Sequence, residues 1–521
     1  MSTSRRRPAR RARWLPGVAL WLMVLLGGSL VAPRPALGHA IGQVFSLPVP
    51  LALYLVGAGL AVAASFVVSV VVVRPAGTRA RYPTWPVPDS VARPLSFILQ
   101  LVGLAWWFGT ILSGYLVDAA SPLPAVLFWI GIWVGLPISA AVLGNAWPSL
   151  SPFRTLFGAF EWLGRRIGLQ RPDLGIPYPR GLGRWPAVAL LFAALWGELI
   201  LPGRTEPTAV ANLLLGYTIV TLLGMLLFGR VAWLRNAELF EVLLGWLGRI
   251  GPIGRRVVLP AVCDGCTEAC DPANCVDCPE CSTAADPGER QAELRWWFTG
   301  MTEVRTVGWS DAAFIVLALS GVTFDGLKET AFWGSIASAV FPTVLATFGA
   351  LNTILIVQTG GLLLLWLVFL AAFGIAAWLT RNLHDAERRP PRLGAIAGTY
   401  ASTLLPIAAG YLVAHYLTEL VQGIVWLPEL LANSLATSAP PLDWMPVSAV
   451  WYLSVGAIVL GHIVAVVLAH RIALRDSPAR PVLAGLPLVA MMVGYTVLSL
   501  WIIAAPITLE PGVVPAAVVS H

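Results

Sequence analysis

Apolar runs of about twenty residues, broken by short polar segments rich in arginine, recur along nearly the whole chain. A helix rises about 1.5 Å per residue, so roughly 20 apolar residues cross a hydrocarbon core of about 30 Å. Ten such runs are legible: Leu51–Val73, Leu95–Val117, Ala125–Leu143, Pro186–Leu201, Thr208–Phe228, Asp311–Leu327, Ile354–Leu379, Gly394–Gly423, Val447–Ala469 and Pro481–Ala505. The pattern predicts an all-α, polytopic membrane protein with about ten transmembrane helices. Phe153–Leu163 and Val231–Ile250 read as amphipathic helices lying on the membrane surface. The apolar stretch Glu329–Asn352 reads as a partly re-entrant outer segment.

The first residues have a different pattern. Arg5, Arg6, Arg7, Arg10, Arg11 and Arg13 precede an apolar core, Leu15–Val31, and Ala36-Leu37-Gly38 supplies small residues at a cleavage site. Residues 1–38 therefore read as a cleavable signal sequence, which leaves His39 as the new N-terminus, with a retained signal anchor as the alternative. The rest divides into a first transmembrane half (39–230, five spans), a loop (231–310), a second half (311–505, five spans) and a tail (506–521).

Charge sets the expected orientation. Between spans, the predicted outer loops carry only Arg204 and Lys328 as basic residues. Arg74, Arg79, Arg81, Arg154, Arg165, Arg166, Arg381, Arg388, Arg471 and Arg475 all fall on the other side. The positive-inside rule then places the 231–310 loop in the cytoplasm and both mature termini outside a bacterial inner membrane. Composition agrees: charged residues are 12% and hydrophobic residues 57%, against about 25% charged in soluble proteins. Trp85, Trp185, Trp309, Trp426 and Trp444 lie near run ends, where amphipathic rings anchor at the interface. The net charge of +7 comes with no basic stripe interleaved with aromatics, so nucleic acid is not an expected partner. The lipid bilayer is, together with a second membrane or cytoplasmic subunit. There is no G-x-S-x-G, Walker loop or H-E-x-x-H motif.

All six cysteines lie in the loop: Cys263, Cys266, Cys270, Cys275, Cys278 and Cys281, among polar or small residues that offer no core to pack in. In a reducing compartment stable disulfides are disfavoured and metal ligation comes forward. Two C-x2-C knuckles, Cys263/Cys266 and Cys275/Cys278, suit a tetrahedral zinc ion. Cys270-x4-Cys275-x2-Cys278 also has the spacing of an iron–sulfur site. A histidine at the mature N-terminus, His39, offers an amine and an imidazole suited to copper. The metal stays open between zinc, an iron–sulfur cluster and copper.

Ionisable residues inside apolar runs cost roughly 2.5–3.5 kcal/mol or more and mark function. Tyr411, His415, Glu419 and Gln422 recur at helical spacing on one face. His415 and Glu419 are a candidate proton-sharing pair, or His415 a candidate metal ligand that Glu419 tunes. His462 lies in the middle of the ninth run and meets His415 only if the eighth extends past Gly423. His470 reads as a membrane-edge residue, and His384 and His521 as exposed. Glu198, Asp325, His415 and Glu419 are expected to cluster toward the outer leaflet, with Asp325 near Lys328 as a boundary ion pair.

Four segments carry a resemblance: GHAIGQVFSLPVP from Gly38, TEVRTVGWSDAAFIVLALSGVTFDGL from Thr302, AHYLTELVQG from Ala414 and GHIVAVVLAH from Gly461. The chain resembles, over most of its length, the polytopic bacterial proteins known as fenitrothion hydrolase. The resemblance implies a membrane-bound organophosphate hydrolase with His415, His462 and Asp325 as site residues. Metal-assisted or His/Glu-assisted attack of water on an apolar phosphotriester would be its chemistry. Metal handling across the membrane, and docking of a partner through the cysteine loop, are the alternative expectations.

Overall fold

In lipid a backbone finds no water to bond, so an apolar segment must close its hydrogen bonds within itself, and helices result. The computed structural model describes residues 45–46, 50–73, 82–168, 173–257, 275–278, 281–282, 285, 289–303, 308–384, 391–436, 438–504 and 508–509. The expected signal sequence lies outside them. The apolar helices are α1 (Leu51–Val72), α2 (Asp89–Leu116) and α3 (Leu123–Val142). The amphipathic α4 (Pro152–Arg166) follows, then α5 (Trp185–Leu199) and α6 (Pro207–Phe228). Beyond the intervening loop come α9 (Trp309–Lys328), α10 (Ala331–Phe348), α11 (Ala350–Asn382), α12 (Leu393–Ala432), α13 (Val447–Asp476) and α14 (Pro481–Ala504).

Among the described residues ten helices are long and apolar enough to cross a membrane. Their membership differs from expectation at one place. The expected fourth span is α5, whose 15 residues rise only about 22 Å. Its place among the ten goes to α10, in the stretch read as re-entrant. Thr330 makes α10 a helix of its own, because its hydroxyl accepts from the Trp333 amide at 3.2 Å. The Trp333 ring then folds back edge-on to Phe324, 5.2 Å away. Gly349, at φ +75°, turns the chain into α11, a conformation glycine adopts without a Cβ penalty.

Two helices depart from regular winding. The middle of α3, Val126–Gly135, is wound as a π-helix, and the Trp106 indole donates to the Leu127 carbonyl at 3.1 Å. The helix α12 tightens through a 3-10 turn at Ser402–Leu404 before continuing as Leu405–Ala432. Pro406 sits just past that turn, where its missing N–H costs least. The α12 helix packs along α13, α13 along α14, and α14 along α1. The α12–α13 approach is backbone on backbone. A Cβ at Gly410 would sit 2.4 Å from the Ala457 carbonyl oxygen, and one at Gly461 2.5 Å from that of Pro406. Small residues permit such contacts between membrane helices. The helix α9 is buried on nearly all sides.

The expected surface helix Phe153–Leu163 is α4, with Phe153 and Phe157 buried and Phe160, Trp162 and Leu163 exposed. The stretch Val231–Ile250 is not the single surface helix expected. It breaks into α7 (Arg230–Asn236) and α8 (Leu239–Leu247), and α8 is buried almost throughout. Glu238 causes the break by capping α8, its carboxylate accepting from the Phe240 amide at 3.1 Å and the Glu241 amide at 2.6 Å. The Trp147 indole at 3.1 Å and the Tyr217 hydroxyl complete its shell. A small antiparallel sheet follows, of β1 (Thr84–Pro86), β2 (Ile253–Val257), β3 (Cys275–Val276) and β4 (Arg290–Leu294) in the order β1-β4-β2-β3. Arg255 and Trp85 both lie opposite Ala292. Asp277 ends β3 at φ +55° and is held by Arg295 at 2.7 Å. Two further residue pairs, Phe45–Ser46 and Thr508–Leu509, run parallel. The fold is otherwise all-α.

Burial pushes the Glu238 carboxyl up to about 7, from an ordinary value of 4.5, against the hydrogen bonds that favour its charge. Between those two pH values the folded chain holds a proton that the unfolded chain has lost. Stability from this group is therefore full below about 4.5 and falls as pH rises toward 7. Glu238→Gln keeps an acceptor for the α8 cap and removes the titration. Thermal unfolding of detergent-solubilised protein should lose stability from pH 5 to pH 8 in the native chain. The variant should show a flatter profile; parallel profiles would exclude Glu238 as the titrating group.

Candidate functional site

The helix α9 begins and ends on charge. Near its start, Asp311 pairs with Arg184 at 2.5 Å. Fourteen residues on, a rise of about 21 Å, stands Asp325. Its Oδ1 takes Lys328 Nζ at 2.7 Å, one turn along the same helix. Its Oδ2 takes His415 Nε2 at 2.7 Å, from α12. The Tyr416 hydroxyl also reaches that oxygen, at 2.9 Å, and reaches Glu198 Oε1 on α5 at 2.8 Å. The His415 and Asp325 side chains are only 10% and 12% exposed. The rings of His415 and Tyr416 meet edge-on at 4.7 Å, and Tyr411 stacks on His415 at 6.1 Å. The Trp133 indole, from the π-wound part of α3, faces the Glu198 carboxyl.

Three of the four residues expected to cluster are thus together: Glu198, Asp325 and His415. Lys328 joins them as expected. Glu419 lies one turn along α12, accepting from the Thr418 hydroxyl at 3.1 Å. Asp325, from another helix, holds His415 Nε2, the position expected for Glu419. Gln422 donates to the Pro440 carbonyl at 3.4 Å. The eighth run does extend past Gly423, to Ala432, yet His462 stays out of the network. Its neighbour Gly461 faces Pro406, well down α12 from His415. His462 is fully buried, with Nδ1 2.8 Å from the Ile458 carbonyl and its ring 6.3 Å from that of Tyr495.

Two other histidines are buried. His470, within an α13 that continues to Asp476, is 1% exposed and edge-on to Phe66 at 5.8 Å. His384 is buried rather than exposed, since a turn off the end of α11 brings its amide to the Arg381 carbonyl. His39, His521, Cys263, Cys266 and Cys270 lie outside the described residues. Cys275 is in β3. Cys281 is buried against Val257 and Ala285, with Cys278 packed alongside, so this end of the loop does contain a small core. Among the described residues no three His, Cys, Asp or Glu side chains converge as metal ligands.

Tyr416 was not among the residues read from sequence, although it links both carboxyls. Its signal, a hydroxyl in an apolar run, is weak, and it lies off the Tyr411–His415–Glu419 face. The arrangement can hold and move protons. A phenol has one proton to give, yet two carboxyls lie within its reach. Both are satisfied fully only when one of them is itself protonated and donates to the phenol oxygen. Asp325 already has Lys328 and His415 as basic partners, whereas Glu198 forms no ion pair among the described residues. Glu198 is therefore where the additional proton belongs.

Fold and site together define a multi-pass helical membrane protein with a buried network of acids and bases. The chain matches no family model, no curated protein and no solved structure.

Proposed function

We propose that the chain is a proton-exchanging membrane protein of the proton-coupled transport class, working through Glu198, Tyr416, Asp325 and His415. The observation that carries this reading is the Tyr416 hydroxyl between two carboxyls, 2.8 Å from one and 2.9 Å from the other. Ionisable groups buried among membrane helices and bonded to one another are the usual parts of proton relays. In this reading Glu198 passes its proton through the phenol to Asp325, and His415 and Lys328 adjust to the change of charge. The arginine asymmetry supports a bacterial inner-membrane location with the 231–310 loop in the cytoplasm. Purified protein in liposomes with a trapped pH dye tests the function. An imposed potential should drive proton uptake that falls at least tenfold in Glu198→Gln and Asp325→Asn. Uptake by the native protein no faster than in empty vesicles would sink the proposal.

A second reading is phosphotriester hydrolysis, as the resemblance to fenitrothion hydrolase implies. It is favoured by the His415–Asp325 pair at 2.7 Å, since a carboxylate that orients an imidazole makes it a general base. His415 would take a proton from water as the oxygen attacks phosphorus, and the ester oxygen would leave. Release of nitrophenol from a nitrophenyl dialkyl phosphotriester, lost in His415→Ala, is the expected result. No release above the uncatalysed rate rules this reading out.

The six-cysteine segment is proposed as a separate metal site. Cys278 and Cys281, packed together beside Val257, would supply two thiolates, and Cys263, Cys266, Cys270 and Cys275 are the further candidates. Zinc is the leading ion, with an iron–sulfur cluster in that segment or copper at His39 as alternatives. Elemental analysis of anaerobically purified protein should find stoichiometric metal that Cys278→Ser removes. A metal-free native protein contradicts the assignment.

A further inference from the structure

Several buried side chains on α12, α13 and α14 keep a polar atom with no hydrogen-bond partner among the described residues. Among them are Tyr411 at its hydroxyl, His462 at Nε2, His470 at both ring nitrogens and Ser499 at Oγ. Each of these residues is at most 1% exposed. An unmet buried polar atom is costly, and apolar helices and lipid offer it no partner.

Tyr411 and His462 are reached in turn from the Asp325 network. The Tyr411 hydroxyl lies against Gly326, next to Asp325. Thr323, two residues before Asp325, shares a hydrogen bond with the Tyr495 hydroxyl at 2.9 Å. The Tyr495 ring is 6.3 Å from that of His462, and Ser499 is one turn from Tyr495 on α14. His470 lies eight residues beyond His462 on α13, a rise of about 12 Å, toward the end that carries Arg471 and Arg475. The backbone contacts at Gly410 and Gly461 keep lipid out between α12 and α13.

We propose that Tyr411, Tyr495, Ser499, His462 and His470 line a water-filled path that carries protons between the Asp325 network and the Arg475 end of α13. The path deepens, and rests on, the proton-exchange reading. His462 is suited to be a station on it. Its Nδ1 faces the Ile458 carbonyl oxygen at 2.8 Å, a group that only accepts, so Nδ1 bears the proton. Nε2 of the neutral ring is then a lone-pair acceptor. It takes the excess proton of a neighbouring hydronium, leaving water, forms the imidazolium and gives the proton up from the same atom to the next water, which becomes hydronium. No other bond changes and no redox partner is needed.

Two measurements on the full-length protein in liposomes test the path. In the first, Ser499→Cys and His462→Cys proteins react with a small charged methanethiosulfonate, and labelling is read peptide by peptide, which separates the native cysteines. The outward-facing control is Leu460→Cys, at a position 56% exposed. Labelling at 499 or 462 at least tenfold faster than at 460 is expected, because thiols react as thiolates in water. Labelling at both sites as slow as the control overturns the path. In the second, His462→Leu should cut proton uptake at least fivefold with unchanged melting temperature, and His462→Gln likewise, since it hydrogen-bonds but does not titrate. If these variants keep native uptake while Asp325→Asn loses it, the path is wrong and the proton-exchange reading stands. If the native protein moves no protons, that reading fails, and the labelling decides the path alone.

Discussion

A carboxylate taken out of water among apolar helices is costly unless charged or hydrogen-bonding partners meet it there. Asp325 stands in that position on α9, the most enclosed of the long helices. Lys328 meets one oxygen from a turn away, and His415 and Tyr416 meet the other from α12. Satisfying one charge thus joins two helices, and the Tyr416 hydroxyl extends the link to Glu198 on a third. The helix α5, too short to cross a bilayer alone, is tied to the α9 system at both ends, by Arg184 to Asp311 and by Glu198 through Tyr416 to Asp325. The groups of the network also join these helices.

Irregular backbone accompanies the network. The π-wound part of α3 carries Trp133 to the Glu198 carboxyl, and such winding recurs at functional sites. The 3-10 turn before Pro406 re-aims α12 just where Gly461 lets α13 come close. Regular helices in those places would change which residues of α3 and α12 face the interior.

The same economy holds outside the ten long helices. Glu238, fully buried, is met by two amides, an indole and a phenol. Its cap breaks a stretch that hydrophobic periodicity alone reads as continuous. Beside it, Arg295 and Asp277 pair at 2.7 Å and hold the turn that leads from Cys275 to Cys278. The cysteine segment is thereby anchored to a small sheet, and Cys281 is packed as an apolar residue.

The places of nine of the ten long helices were legible in the sequence, because the preference of a twenty-residue apolar run for lipid is a local property. Asp325, His415, Glu198 and His462 could be picked out as candidates, since each is an ionisable group that its own run makes expensive. Helix ends set by a single cap were less legible: Thr330 separates α10 from α9, and α13 continues to Asp476 and encloses His470. Pairings were not legible at all. Helical periodicity joins His415 to Glu419 on one face, whereas the fold joins it to Asp325, ninety positions earlier in the chain. Tyr416 gained its place between two carboxyls only when α5, α9 and α12 were packed together. Hydropathy is summed along the chain, but a buried charge is satisfied across space, and only the tertiary structure decides which helix brings its partner.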